Sequence, residues 1–199
     1  MSNSNSEDTW NGLPLLCFQQ PEEWADWLER NHAVSRGVWL KIAKKASGIQ
    51  SITRDQALDW ALCYGWIDGQ GKRYDDSWWL QKFTPRTPKS IWSKINQEKV
   101  QALIERGQMR PAGLREIERA KQDGRWDAAY DPPRTATPPP DLQAALDSHP
   151  EAAAFFATLD SRNRYAILFR IQTAKKPETR ARRIEQFIQM LQRREKIYP

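Results

Sequence analysis

The sequence predicts an α+β protein, with a small, mainly antiparallel sheet packed with helices in its N-terminal part and an all-helical C-terminal part. Three observations predict it. Four short β-rich segments, near 13–18, 37–43, 66–74 and 78–83, fall in the first half. Helical patterns opened by Pro and punctuated by Gly or Ser/Asp fill the second. All ten tryptophans lie between Trp10 and Trp126, so the largest side chains able to bury a sheet belong to the first part.

Residues 1–12 are polar and rich in Ser and Asn. They read as a disordered tail, without the basic start and apolar run of a secretory leader, and the protein is expected in the cytoplasm. Leu13–Phe18 reads as a strand, and Pro21 opens a helix with acids in its first turn and Trp24, Trp27 and Leu28 at helical spacing. In 37–43, Val38, Leu40 and Ile42 share one face of a strand. Parallel β-α-β pairing with 13–18 is an alternative to an antiparallel arrangement. Thr53 and Gln56 form a capping-box pattern for a helix that Gly65 ends. A hairpin follows over 66–74 and 78–83, with Asp68-Gly69 as a candidate turn.

Helices are expected at 88–106, with Trp92, Ile95, Lys99 and Leu103 near one stripe, and at 111–123. Five prolines within 131–140 exclude regular helix or central strand there. Short helices then run over 141–147, 150–158, 161–174 and 177–195, the last with Ile184, Phe187, Ile188 and Leu191 at i, i+3, i+4 and i+7. The expected organisation is a tail at 1–12, a Trp-rich α+β domain at 13–130, a Pro-rich linker at 131–140 and a basic helical region at 141–199. The linker either separates two domains or crosses between two parts of one.

Composition narrows the chemistry. Cys17 and Cys63 lack a CxxC or Cys/His pattern and read as buried thiols, while His32 and His149 stand alone, so neither a disulfide framework nor a metal or cofactor site is expected. No apolar run is long enough to span a membrane. The net charge of +6 is uneven: residues 160–199 hold 11 Lys/Arg against 4 Asp/Glu. Lys175, Lys176, Arg180, Arg182 and Arg183 are therefore candidates for contact with a nucleic-acid backbone or an anionic surface, although Glu178, Glu185 and Glu195 also suit a salt-bridged, solvated helix face.

The denser candidate is the hairpin, where Trp66, Asp68, Gly69, Lys72, Arg73, Trp78 and Trp79 occur within fourteen residues. Aromatic faces beside fixed charges stack planar or cationic ligands, and glycines let the backbone approach one. The competing reading is a hairpin whose tryptophans only fill a core. Asp68 is the first candidate for acid/base catalysis, ahead of Asp59, of Cys63 as nucleophile and of His32, which reads as a helix C-terminus.

Trp39-Leu40 with Lys44-Lys45, then Ala57-Leu58, Cys63-Tyr64-Gly65-Trp66-Ile67-Asp68-Gly69, Phe83-Thr84-Pro85-Arg86 and Lys89-Ser90-Ile91-Trp92-Ser93 follow in order. Together with Ala174 to Ile184 they make the chain, over about residues 20–199, similar to the bacterial YdeI/OmpD-associated family, often labelled bacteriocin-protection protein. That resemblance implies protection against antimicrobial peptides, and a histidine where Asn163 stands. The expected function is a cytoplasmic, non-catalytic binding or protection protein holding a small-molecule or peptide ligand at the Trp-rich hairpin. The alternatives are nucleic-acid or anionic-surface binding through the basic helices, and an enzyme using Asp68.

Overall fold

The computed structural model describes residues 8–199, so the first seven positions of the expected tail lie outside the described residues. The chain forms two compact units, one from residues up to Ser90 with Asn96–Asp127 and the other from Ile91–Ile95 with Ala128–Pro199.

The first unit is built on a five-stranded sheet: β1 (Thr9–Trp10), β2 (Leu13–Leu16), β3 (Val38–Ala43), β4 (Trp66–Arg73) and β5 (Trp78–Pro85), in the order β1-β2-β3-β5-β4. The pairings are antiparallel except β2 with β3, which run parallel because α1 (Pro21–Asn31) carries the chain back between them. Thr9 and Trp10, part of the expected tail, pair instead with Pro14 and Leu13. Asn11 and Gly12, both at positive φ (50° and 74°), supply the two-residue turn that an Asn-Gly pair favours.

Glu23 accepts from the Gln19 and Gln20 amides (2.8 and 3.2 Å) and so caps α1. The capping box expected at Thr53 forms: Thr53 Oγ1 accepts from the Gln56 amide (3.2 Å) and Gln56 Oε1 from the Thr53 amide (2.9 Å), opening α2 (Arg54–Cys63). Past its end Gly65 sits at φ 75°, where a side chain would meet the carbonyl oxygen of Ala112 at 3.0 Å. The α4 helix (Pro111–Gln122) packs on this turn so closely that a Cβ at Gly113 would overlap the carbonyls of Cys63 and Leu62.

Two expectations change. Asp68-Gly69 is not the turn: β4 runs on through it to Arg73, and the pairing shifts register between Asp68 and Gly71, a bulge the glycines accommodate. The helix expected from 88 begins at Lys94, because Thr87 and Ser90 close a local turn and Ser93 pairs with Tyr130. Its buried residues are accordingly Asn96, Val100 and Leu103, while Ile95 is exposed. Cys63 is buried as expected but Cys17 is exposed, since it follows the last residue of β2.

The second unit is all-helical: α5 (Pro140–Asp147), α6 (Pro150–Thr158), α7 (Ser161–Gln172) and α8 (Pro177–Gln192). Leu142, Leu146, Phe156, Ile167, Ile171 and Leu191 lead its core, and Ile184, Phe187 and Ile188 pack into it as the α8 spacing predicts. Residues 131–139 form turns and irregular chain, with Lys94 Nζ 2.5 Å from Asp131. Asn163 is buried and fully used. Its side chain donates to Asp160 (3.1 Å) and to Tyr198 O (3.2 Å) and accepts from the Tyr198 amide (2.9 Å), tying the last residues to α7.

Gly113→Ala is expected to destabilise the first unit by about 1–3 kcal/mol through overpacking. Asn163→Ala, which strands the Tyr198 backbone groups, is expected to cost the second unit about 1–3 kcal/mol. Urea unfolding of each variant checks both values, with limited proteolysis at the C-terminus reporting release of Tyr198.

Candidate functional site

Strand register divides the hairpin residues between the two faces of the sheet. Residues directly opposite each other share a face, and successive residues alternate. Val38 lies opposite Phe83, Leu40 opposite Gln81, and Trp66 and Asp68 opposite Pro85 and Phe83, so these side chains belong to one face. Helix α1 covers that face. Trp24 packs against Trp66 (6.3 Å between ring centroids) and Phe83 (5.8 Å). The indoles there are satisfied, Trp24 donating to Ala57 O (3.0 Å) and Trp66 to His32 O (3.1 Å). Trp66 is thus a core residue. Asp68 forms an ion pair with Arg54 that joins β4 to α2, and Gln81 donates to Gly69 O (2.8 Å) across the bulge. Arg73 and Trp79 follow on the same face, with Arg73 held by Asp76 (2.8 Å).

Lys72 and Trp78 belong to the other face, with Trp39, Lys41, Leu80 and Lys82. Lys41 Nζ lies 4.8 Å from the Tyr74 ring centroid and 5.0 Å from that of Trp78, while Lys72 and Lys82 stand 5.8 and 5.9 Å from Trp39. Their stems cover apolar surface, which is how Leu80 and Trp39 are buried beneath a charged layer. Trp10 of β1 meets Tyr74, beyond β4, edge-on at 5.5 Å. A flat sheet would hold those strands about 19 Å apart, so the sheet and its hairpin tip curl over this face.

The face is chemically one-sided. Among the described residues, Lys41, Lys72 and Lys82 form no ion pair and the buried indole N–H groups of Trp10 and Trp39 have no hydrogen-bond partner. None of the strand residues on it is acidic. At the tip, the Asp75 carboxylate accepts the amides of Ser77 and Trp78 (2.8 Å each), and Asp76 accepts from Arg73. Of the seven hairpin residues expected to act together, the structure brings only Lys72 and Trp78 to this face. It adds Trp10, Trp39, Lys41, Tyr74 and Lys82; for Trp39, Lys41 and Lys82 the period-two placement in β3 and β5 was the available signal.

The other catalytic candidates are structurally engaged. Asp59 and Asp55 share Lys99 (2.8 Å each). Burial pushes the Cys63 thiol up to about 11, leaving it protonated and unreactive at neutral pH. His32 caps α1 as expected, its Nδ1 donating to Leu28 O (2.8 Å). Its ring lines a cleft with Glu29, Tyr64 and Arg110, where Tyr64 donates to Glu29 (2.8 Å) and accepts from Arg110 (3.5 Å). Burial raises the Tyr64 phenol, so it remains a donor. Among the described residues, no group of three His, Cys, Asp or Glu is placed to hold a metal, and no helix is long and apolar enough to cross a membrane.

In the second unit, two of the five basic candidates serve the fold. Arg180 is bidentate to Asp141 (2.5 and 2.8 Å) and donates to Ile171 O (2.9 Å), and Arg183 donates to Arg170 O. Lys175, Lys176 and Arg182 are exposed. Hydrogen bonds from Arg180 hold the Asp141 carboxyl below its ordinary value, so this pair stabilises the unit fully above the unfolded carboxylate pKa of about 4 and is lost as pH falls below it. Arg180→Met should therefore be less stable than the parent by up to about 1 kcal/mol near neutrality, with the gap closing towards pH 2. Thermal melts across that range measure the convergence.

Residues 16–116 match a domain of unknown function, DUF8412, and residues 135–194 match the family described as bacteriocin-protection, YdeI or OmpD-associated. No curated protein and no solved structure matches the chain. The second match covers α5 to α8, whereas the Trp39 to Ser93 motifs fall within the first, so the YdeI/OmpD resemblance read over about residues 20–199 is carried by its C-terminal part. The chain belongs to the DUF8412 domain family and carries, C-terminal to that domain, a bacteriocin-protection, YdeI or OmpD-associated region.

Proposed function

We propose that this chain is a cytoplasmic, non-catalytic binding protein of the bacteriocin-protection type, and that its ligand is a planar, acceptor-rich anion lying on the lysine–indole face of the sheet. One observation supports the reading: among the described residues, three lysines without ion pairs and two indole N–H groups without hydrogen-bond partners share the face on which no strand residue is acidic. A buried donor without an acceptor is costly, which applies to the two indoles, while the half-buried or exposed lysines supply the charge that an anion with several acceptor atoms would pair with. The rings of Tyr74 and Trp78 beside the lysines favour a ligand with its own flat face. A nucleotide, free or within a single strand, combines both features.

Asp68 serves this function only by joining β4 to α2, and the α8 basic residues lie in the other unit. Tryptophan-fluorescence titration with AMP, a short oligothymidylate and inorganic phosphate tests the reading. Binding of AMP or the oligonucleotide should weaken by at least about tenfold in Lys41→Gln/Lys72→Gln/Lys82→Gln, a loss of about 1.4 kcal/mol. It should stay at the parent value in Lys175→Gln/Lys176→Gln/Arg182→Gln. A ratio of oligonucleotide to AMP affinity well above one, with strong salt dependence, selects the strand as ligand. Unchanged binding in the sheet variant, or binding of neutral peptides alone, overturns the proposal.

A further inference from the structure

We infer that the first unit holds a second, separate site: a cleft for a small zwitterion, an α-amino acid with free ammonium and free carboxylate, between α1, the end of α2 and the start of α4. The cleft encloses about 550 Å³, within the size of small-ligand sites, and its walls carry opposite charges. On one side α1 presents Glu22, Asp26 and Glu29, at spacings that place them along one helix face. On the other, Arg110 and Arg115 flank the first turn of α4.

The walls are not joined by direct ion pairs. Among the described residues none of these three acids forms an ion pair with either arginine; the link between them is the Tyr64 hydroxyl, which donates to Glu29 (2.8 Å) and accepts from Arg110 (3.5 Å). A simple anion is repelled by the α1 wall and a simple cation by the arginines. A molecule with both charges a few ångströms apart matches the two walls at once.

The polar atoms fit that orientation. With His32 Nδ1 donating to a carbonyl, the neutral imidazole offers Nε2 as an acceptor that suits an ammonium beside Glu29. The N-cap of α4, Arg110, makes no side-chain cap, and Pro111 follows it, so the first-turn amides and helix dipole add to the arginines on the carboxylate side. Trp60 and Ala25 give the cleft an apolar lining for a side chain.

The walls are fixed before a ligand arrives. The Arg110 amide donates to Cys63 O (3.2 Å), and Gly65 and Gly113 allow α4 to close on the end of α2 with no room for a Cβ. Pre-organisation of this kind lowers the ordering cost of binding a small molecule.

Calorimetry and thermal shift on the full chain test the site with L-leucine and L-phenylalanine, each free, N-acetylated and as its amide. The free amino acids should bind saturably and raise the melting temperature, with each blocked form at least about tenfold weaker. Asp26→Asn and Arg115→Gln, both at exposed positions, should each weaken binding by about tenfold while the unliganded melting temperature stays put. The Lys41→Gln/Lys72→Gln/Lys82→Gln variant should bind amino acids like the parent, which separates this site from the sheet face. Absence of saturable binding by either free amino acid, or blocked forms binding as well as free ones, overturns the inference.

Discussion

The burial of Trp24 and Trp66 against Phe83 sets the architecture of the first unit. These three rings meet at centroid distances near 6 Å, and each aromatic side chain of this size removes roughly 150–250 Å² from water. Both indole N–H groups find carbonyls, Ala57 O and His32 O, that belong to α2 and to the end of α1. The same contacts that fill the core therefore dock α1 on the sheet and α1 on α2. Everything functional is positioned from there: the covered face is committed to packing, the other face is left to the lysines, and the outward side of α1 becomes the acidic wall of a cleft.

The contrast between the two faces is a contrast in hydrogen bonding. On the covered face, donors and acceptors close on each other, as in Asp68 with Arg54 and Gln81 with Gly69. On the other, among the described residues, Trp10 and Trp39 keep buried N–H groups without partners beside lysines without counter-ions. Native interiors satisfy nearly all buried polar groups, so two indole donors without partners beside three lysines set this face apart from the covered one. The alternation of a β-strand accounts for the division, since neighbours in sequence such as Trp78 and Trp79 point to opposite sides.

In the second unit, charge follows a different logic. Arg180 and Arg183 lie on the basic helix yet serve carbonyls and a carboxylate of their own unit. Asn163, where the family resemblance implies histidine, is saturated by Asp160 and Tyr198 and holds the end of the chain. The family match over residues 135–194 thus coincides with a helical scaffold, while function must be argued from sites.

Local chemistry made much of this legible in the sequence. Pro21, Pro111, Pro150 and Pro177 start helices, Thr53 with Gln56 caps one, and the alternation of Val38, Leu40 and Ile42 marks one buried face of a strand, because each signal acts within a few residues. The division into a Trp-rich α+β part and a helical part followed from composition. Partnerships between distant residues did not follow. Asp68 and Arg54 are separated by 14 positions and Arg180 and Asp141 by 39, and nothing local distinguishes a paired charge from a free one. The seven-residue hairpin cluster looked like one site for the same reason: proximity in sequence was legible, but the register of β4 on β5 and the bulge at Asp68–Gly71, which decide the face of each side chain, arise only from pairing across the sheet.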